Sequence, residues 1–330
     1  NIITLNGNDG IDINGSGTTS NTVSGNLIGL DLDGTRDFRV QELVISPAFD
    51  KDQTVFVGTR YDGMWKTTDG GDSWAAVNNG LPVSNVLALD VYSGYASDRT
   101  LFAGTPYGGV FKTINGGTSW SRVDGGTLGE RNVLDMVVSP SHGVDGQVFV
   151  IEDNEGVFVS ADGGETWSPR NEGFVDCAWD LRGLAISPEY GVDETVFAHT
   201  WTRVFKTTDR GETWMAATSE ITGIQAIALS PSYGDDRTVL LGLDHCDPAS
   251  QPTFWRSTDG GLHWTPISGT LDMCGVRKVA FSPNYENDQT VFAGDTWGGV
   301  YRSEDGGLHW TKVTTSRFSW ALALSPAYGK

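Results

Sequence analysis

Two carboxylates at equivalent positions of apolar runs are the first residues of this sequence that could carry out chemistry. Glu42 and Asp135 each precede a Ser-Pro dipeptide by four residues. Glycoside hydrolysis needs two carboxyl groups, about 5 to 5.5 Å apart for retention or 6.5 to 9.5 Å for inversion. Glu42 and Asp135 are therefore candidate catalytic acids. The alternative is that they form structural pairs with the basic and polar residues at similar positions, which are Arg182, Gln225, Arg277 and Lys278.

Aromatic residues beside charged and polar groups form a second candidate site. Aromatic planes next to carboxylates and amides suit stacking on sugar rings, with hydrogen bonds to the hydroxyl groups. The structural alternative is that these aromatic side chains simply cap the ends of the elements that carry them. The predicted ligand-binding residues are Arg60, Tyr61, Tyr107, Trp179, Trp201, His245 and Trp297.

Metal-binding patterns are weak in this sequence. Asp31-Leu32-Asp33-Gly34 resembles the start of a calcium loop, but the later ligands are missing. Asp244, His245 and Asp247 could form a metal-binding cluster, although the same residues also suit a polar loop that binds no metal. We therefore expect no cofactor, with calcium left open. The three cysteines have no zinc-ligand spacing, and a disulfide between Cys246 and Cys274 would leave Cys177 free.

These residues are spaced by an eight-residue stretch that occurs six times, which we call the octet. Thr67-Thr68-Asp69-Gly70-Gly71-Asp72-Ser73-Trp74 is the first copy, and the closing tryptophans are 46, 47, 47, 50 and 46 residues apart. An Asp or Asn before a Gly pair closes a tight turn, and we expect the Trp to pin that turn against its own sheet. The octet residues expected to be structural are Asp69, Trp74, Asn115, Trp120, Asp162, Trp167, Asp209, Trp214, Asp259, Trp264, Asp305 and Trp310.

The octet resembles the Ser/Thr-x-Asp-x-Gly-x-x-Trp motif of the Asp-box, or BNR-repeat, family of β-propellers. The second copy has Asn115 for the Asp, and the fourth has Arg210 for the first Gly. The resemblance covers roughly residues 36 to 330 and implies that the boxes lie on the rim, away from any active site. Residues 1 to 35 differ, and Asn21 to Gly29 resemble one coil of a secreted parallel β-helix protein.

The repeat predicts an all-β propeller of four-stranded blades, with domain boundaries at 1–35 and 36–330. Six apolar runs end in Ser-Pro, and a seventh run, Leu87 to Val91, is a degenerate copy. Where an octet follows, a turn with a recurring Asp comes after the run, and further strands flank the octet. The sequence contains seven of these apolar runs but six octets, so the two counts predict different numbers of blades. We therefore expect seven blades, the last closed by N- and C-terminal strands, with a six-bladed ring as the alternative. Residues 1–35 would then supply ring closure or belong to a remnant β-helix coil.

Charge limits the partners of the chain. With 42 acidic and 22 basic residues the formal net charge is −20, which opposes binding to nucleic acid and to anionic membranes. No apolar run is long enough to span a membrane, and the start at Asn1 suggests a segment processed from a longer protein. We expect an extracellular or cell-surface location and a glycan or protein ligand, and the chain could be part of a larger assembly.

The resemblance leaves two classes of function open. Asp-box relatives include sialidases and xyloglucan-cleaving hydrolases, but also sortilin-type receptors and a photosystem II assembly factor, which are not enzymes. Phe38-Arg39-Val40-Gln41 matches the early sialidase motif only at its first two positions, and the uniform spacing leaves little room for long active-site loops. We expect a non-enzymatic binding or structural module, with a glycoside hydrolase as the alternative.

Overall fold

The computed structural model describes residues 2–6, 10–14, 40–82, 85–107, 109–125, 128–174, 180–218, 221–246, 252–267, 273–314, 319–326 and 328, with side chains from residue 40 onward except at 314, 319 and 320. Several predicted features lie outside these ranges. They are Cys177, Trp179 and Asp247, the calcium-like stretch 31–34 and the β-helix-like run 21–29.

Six antiparallel four-stranded sheets, each built from consecutive strands, form the blades of a propeller. Blades 1 to 3 consist of β3 (Val40–Ile45), β4 (Val55–Thr59), β5 (Met64–Thr67) and β6 (Ala75–Ala76); β7 (Ala88–Asp90), β8 (Leu101–Thr105), β9 (Gly109–Thr113) and β10 (Ser121–Arg122); and β11 (Val133–Val138), β12 (Val148–Glu152), β13 (Gly156–Ser160) and β14 (Ser168–Pro169). Blades 4 to 6 consist of β15 (Gly183–Ile186), β16 (Val196–His199), β17 (Val204–Thr207) and β18 (Met215–Ala216); β19 (Ile224–Leu229), β20 (Val239–Leu243), β21 (Phe254–Ser257) and β22 (Thr265–Ile267); and β23 (Val276–Phe281), β24 (Val291–Asp295), β25 (Val300–Ser303) and β26 (Thr311–Thr314).

A three-stranded sheet, the closing sheet, joins the two ends of the chain. It consists of β1 (Ile2–Asn6), β2 (Gly10–Asn14) and β27 (Ser319–Leu324), in the order β2-β1-β27. Ile3 lies opposite both Ile13 and Ala323. The first strands of successive blades are neighbours, and β27 lies between β23 and β3. In the described residues no fourth strand completes this sheet, so the four-stranded blades number six, as in the alternative and not as in the preferred count of seven.

Each blade has a four-residue helix between its first and second strands. In blade 1 the Ser46 hydroxyl donates to Asp52 Oδ2 over 2.8 Å, and Asp52 Oδ1 accepts the Thr54 N–H over 3.0 Å. The recurring Asp therefore caps the turn that carries it. The helices are α1 (Phe49–Asp52), α2 (Tyr95–Asp98), α3 (His142–Asp145), α4 (Tyr190–Asp193), α5 (Tyr233–Asp236) and α6 (Tyr285–Asp288).

The octet closes the turn between the third and fourth strands. In the third octet Ser160 Oγ accepts the Gly164 N–H over 2.8 Å and donates to Asp162 Oδ1, and Asp162 in turn accepts the Thr166 N–H over 2.9 Å. In four octets the closing Trp differs from the prediction, because its indole donates to the preceding blade, whereas Trp74 and Trp310 donate to Gly71 and Gly307 of their own octets. Trp120 Nε1 donates to the Val77 carbonyl over 2.8 Å, and equivalent bonds run from Trp167, Trp214 and Trp264 to the preceding blades. These four tryptophans therefore link each of their blades to the preceding blade.

A lysine on the third strand adds a second link between blades. Lys66 Nζ donates to the carbonyl of Gly116, in the next octet, over 3.0 Å. Lys112 and Lys206 make the same contact with the octets that follow them. Blade 3 has Val159 at this position, and the octet of blade 4 has Arg210 where the others have glycine. Arg210 pairs instead with Glu194 of its own blade over 2.8 Å, so the octet that carries a cation follows the blade that lacks the lysine.

Candidate functional site

The turns of the propeller lie on two opposite faces. The helices and the octet turns lie on the same face, which we call the octet face. The connections between second and third strands, and those from one blade to the next, share the other, which we call the loop face. Successive connections of an antiparallel sheet alternate between its two ends, which is why each blade contributes to both faces in this way. The predicted ligand-binding residues that the structure describes all belong to the loop face.

Three aromatic side chains of the loop face are largely exposed. Tyr61 is 52% exposed, Tyr107 73% and Trp297 67%, whereas the octet tryptophans Trp120 and Trp214 are 4% and 3% exposed. They belong to blades 1, 2 and 6, which are consecutive around the ring except for the closing sheet. These three residues, which we call the aromatic arc, present large apolar and flat surfaces to solvent.

Tyr107 is one of eight described non-glycine residues with a positive φ, and it is the one whose side chain is a largely exposed aromatic ring. Its φ is +55°, in the left-handed region that non-glycine residues rarely adopt, and its N–H donates to the Arg131 carbonyl over 3.2 Å. Such a conformation costs on the order of 1 to 3 kcal/mol. Because the side chain itself is exposed, its packing does not repay this cost.

Two arginines lie over aromatic rings of the same face. The guanidinium carbon of Arg60 is 5.5 Å from the Tyr61 ring centroid, and that of Arg182 is 5.1 Å from the Trp201 ring centroid. Arg182 also pairs with Asp180 over 3.2 Å. The sequence grouped Arg182 with the polar residues at positions similar to those of Glu42 and Asp135, but the structure places it over Trp201. Trp201 is half-buried.

Trp201 and His245 form a second group on blades 4 and 5. The Trp201 carbonyl accepts the Gly223 N–H over 2.9 Å, and His245 Nε2 lies 2.9 Å from the Thr222 carbonyl. His245 is followed by Cys246, which forms a disulfide with Cys274. The predicted binding residues are thus divided between the aromatic arc and this Trp201–His245 group.

Glu42 and Asp135, the candidate catalytic acids, are already engaged in contacts within the protein. Glu42 Oε2 pairs with Lys278 Nζ over 2.7 Å. Asp135 accepts the Met136 N–H over 2.9 Å with one oxygen and the Leu184 N–H of the next blade over 2.7 Å with the other. Burial raises the pKa of Asp135 to about 6, although the Lys278 charge opposes that rise.

Asp90 has the same arrangement and was missed by the sequence analysis. Its carboxylate accepts the Val91 N–H over 2.8 Å and the Val138 N–H of blade 3 over 2.7 Å. Burial, together with the charges of Asp135 and Glu42, raises its pKa to about 7 despite these two hydrogen bonds. A charged residue inside the apolar run Leu87 to Val91 was the signal that could have found it.

Glu152 and His199 are two further buried ionisable residues, at the ends of second strands where blades 1 and 2 have Thr59 and Thr105. Burial raises the pKa of Glu152 to about 7, and burial lowers the pKa of His199 to about 4. His199 Nδ1 lies 3.2 Å from the Thr200 carbonyl. Both side chains are buried at the strand ends that lead into the loop face.

Metal binding finds no support among the described residues, where no group of three or more His, Cys, Asp or Glu side chains is placed to hold an ion. The octet face carries a cleft of about 490 Å³ between blades 5 and 6. Two Asp–His pairs border it, with His263 Nδ1 2.7 Å from Asp259 and His309 Nδ1 2.6 Å from Asp305. Each histidine is bound within its own octet turn.

A protein-family model described as "DUF6242 beta propeller domain" matches residues 110–322. The chain belongs to the DUF6242 β-propeller domain family. A search of curated proteins gives no match. No helix in the described part of this DUF6242 propeller has the length and apolar character needed to cross a membrane.

Solved structures similar to this DUF6242 propeller include both enzymes and proteins of other kinds. The GH74 xyloglucanase from Xanthomonas campestris is 18% identical with a TM-score of 0.67, and the match covers 88% of this chain and 50% of the enzyme. YCF48 bound to D1 peptide is 15% identical with a TM-score of 0.58, covering 83% and 82%. U3-55K is 13% identical with a TM-score of 0.63, covering 88% and 86%. At these identities the similarity shows the propeller fold alone.

Proposed function

We propose that this propeller is a non-catalytic binding module of an extracellular or cell-surface protein, and that it holds a glycan chain across the aromatic arc. In this proposal the six octets are Asp boxes, and the closing sheet joins the two ends of the six-bladed ring. The observation that carries the proposal is the exposure of Tyr61, Tyr107 and Trp297 on one face of the ring.

The backbone of Tyr107 supports this proposal. An exposed aromatic residue at φ +55° gains little from packing, and a glycine or asparagine at the same position would be more stable. Strain of this kind is concentrated at functional sites, where it places a side chain for a ligand. Exposed aromatic faces suit the apolar faces of sugar rings, and the Arg60 guanidinium beside Tyr61 can donate to hydroxyl groups.

The contacts of the three acids on the first strands of the blades, Glu42, Asp90 and Asp135, support a non-catalytic role. Asp135 and Asp90 each use both carboxylate oxygens to accept backbone N–H groups, and in each case one of these belongs to the next blade. Glu42 is neutralised by Lys278. A general acid and a nucleophile must reach the glycosidic bond, whereas these groups bind the inner strands to one another.

A glycoside hydrolase is the second candidate, and one observation favours it. A catalytic acid needs a raised pKa, and Asp135 has a pKa of about 6. On that hypothesis Asp135 would protonate the leaving oxygen, and Glu42 would have to separate from Lys278 before acting as base or nucleophile. No glycan would then need to contact Tyr107.

Xyloglucan, mixed-linkage β-glucan and sialyllactose, each with and without calcium, provide the test. Binding is measured by isothermal titration calorimetry and hydrolysis by released reducing sugar. We expect binding without hydrolysis, weakened by Trp297→Ala and unchanged by the octet-face control Leu262→Ala. Sugar release that is lost in Asp135→Asn would overturn the non-catalytic proposal, and no binding to any of the glycans would move the ligand class to a protein segment.

A further inference from the structure

We infer that the Cys246–Cys274 disulfide is a redox-sensitive staple that holds Trp297 in position on the aromatic arc. This inference rests on the proposed function, because it assigns a control to the same binding face. Cys246 follows the second strand of blade 5, and Cys274 lies in the connection that leads into blade 6. The disulfide therefore ties two loop-face connections together beside Trp297.

Hydrogen bonds carry the effect of the disulfide from Cys274 to the residue before Trp297. The Thr296 N–H donates to the Cys274 carbonyl over 3.0 Å and to the Gly275 carbonyl over 2.8 Å. The Thr296 hydroxyl donates to the Gly275 carbonyl over 3.0 Å and accepts from Arg277 Nε over 3.1 Å. Thr296 is thus fixed to the Cys274–Gly275 segment through its backbone and its side chain.

Gly275 shows how closely this segment is packed. Its φ is +68°, and a Cβ added there would lie 2.4 Å from Asp244 Oδ1 and 2.4 Å from Thr296 Oγ1. Its N–H donates to the His245 carbonyl over 3.2 Å, which joins it to the same connection that carries Cys246. A displacement of Cys274 must therefore be transmitted to Thr296, and from there to Trp297.

Trp297 depends on this anchor because its own side chain is 67% exposed. An exposed ring gains little positional restraint from packing, so its direction follows the backbone that carries it. A covalent cross-link removes conformations that noncovalent contacts alone allow. With the disulfide broken, the noncovalent contacts of Gly275 and Thr296 alone must keep Trp297 in place.

Solvent thiols can reach the bond, since Cys246 is exposed and Cys274 is half-buried. A dithiol reductant supplies the two electrons. Its thiolate attacks Cys246 Sγ and releases the Cys274 thiolate, and its second thiol then displaces Cys246 and closes the oxidised reductant. The two protons of the dithiol end on Cys246 and Cys274. The product is a loop face with two free thiols and no staple.

The test labels the protein with 5-fluorotryptophan and follows its ¹⁹F resonances in the Cys177→Ser background, so that this pair alone can react. The Trp297→Phe variant assigns the Trp297 resonance, and the buried Trp120 serves as the internal control. Spectra and xyloglucan affinity are compared before and after dithiothreitol, and in Cys246→Ser/Cys274→Ser. Mass spectrometry counts the free thiols.

Reduction should shift or narrow the Trp297 resonance, leave that of Trp120 in place and weaken glycan binding roughly two- to tenfold, the cost of ordering one side chain again. The double serine variant should match the reduced protein. A Trp297 resonance unchanged with two free thiols present would overturn the staple. A shifted Trp297 resonance in a protein that binds no glycan in either state would support the staple and overturn the proposed function.

Discussion

The octet face and the loop face are built on the same strands, yet their aromatic residues have opposite environments. Trp214 of the octet face is buried, donates to the Arg170 carbonyl over 2.9 Å and stacks on Phe174 at 4.9 Å. Trp297 of the loop face is 67% exposed. The octet recurs in every blade because it closes the same turn in each, whereas loop-face residues change from blade to blade. The comparison places inter-blade contacts on the octet face, and the proposed function assigns ligand binding to the loop face.

The largest effect should come from exchanging tryptophan for alanine on the two faces. Trp214→Ala removes a buried stacked ring and an inter-blade hydrogen bond, and should lower the free energy of unfolding by about 3 to 5 kcal/mol. Trp297→Ala, the matched control, should change it by less than about 0.5 kcal/mol. Urea denaturation followed by circular dichroism measures both. Similar losses for the two variants would remove the distinction between the faces.

The next largest effect is a pH dependence of stability that arises from Asp90, on the first strand of blade 2. Its pKa is raised from the ordinary value to about 7, so between these values the native state binds more protons than the unfolded state. Raising the pH therefore favours unfolding. The Asp90→Asn variant lacks this dependence, so wild type should lose stability relative to it by up to about 1.4 kcal/mol per pH unit from pH 4.5 to 6.5.

Denaturation of the two proteins at several pH values checks this prediction. His199 has the opposite sign, because its lowered pKa makes the native state lose stability as the pH falls, and Asp135 and Glu152 have the same sign as Asp90. All three are present in both proteins, so to a first approximation their contributions cancel in the difference. A difference independent of pH would show that Asp90 is not held as an acid in the inner ring.

A smaller effect, of opposite sign on stability and binding, is expected at Tyr107. Asparagine tolerates φ near +55° better than tyrosine does, so Tyr107→Asn should raise the free energy of unfolding by about 1 kcal/mol. The same change removes one ring of the aromatic arc and should weaken xyloglucan binding. Thermal denaturation and calorimetry measure the two quantities. A variant that loses both stability and binding would indicate that Tyr107 is a packing residue.

The smallest effect tests whether Val159, in place of lysine, and Arg210, in place of glycine, compensate each other. Val159→Lys places an ammonium group beside Arg210 and should destabilise the protein by roughly 0.5 to 1 kcal/mol. Adding Arg210→Gly should recover this loss, because the lysine can then donate to the octet carbonyl as Lys112 does. A double-mutant cycle measures the coupling. Additive effects would show that the two departures from the repeat are independent.

The sequence predicted the repeat and the turns because their chemistry is local. Ser46, Asp52 and Thr54 lie within nine residues of one another, and their hydrogen bonds follow from residue type and order. The octet tryptophans were assigned to their own sheets, since a contact such as Trp120 to Val77 spans 43 residues and depends on how blades pack. The Lys278–Glu42 pair spans 236 residues and needed the closed ring.

The candidate site was predicted in part for the same reason. Aromatic residues beside polar groups placed Tyr61, Tyr107 and Trp297 in one candidate site, but their exposure separates them from Trp201, which Arg182 covers. The three-stranded closing sheet of the described residues and the six-blade count depended on where the terminal strands pair, which composition and spacing do not determine.

Hydrogen–deuterium exchange with and without bound xyloglucan tests the division of roles between the two faces most directly. We predict slower exchange on binding in peptides that contain Tyr61, Tyr107 and Trp297, and unchanged exchange in peptides that contain the six octets. Protection confined to the octets, or to the inner strands that carry Glu42 and Asp135, would contradict the account.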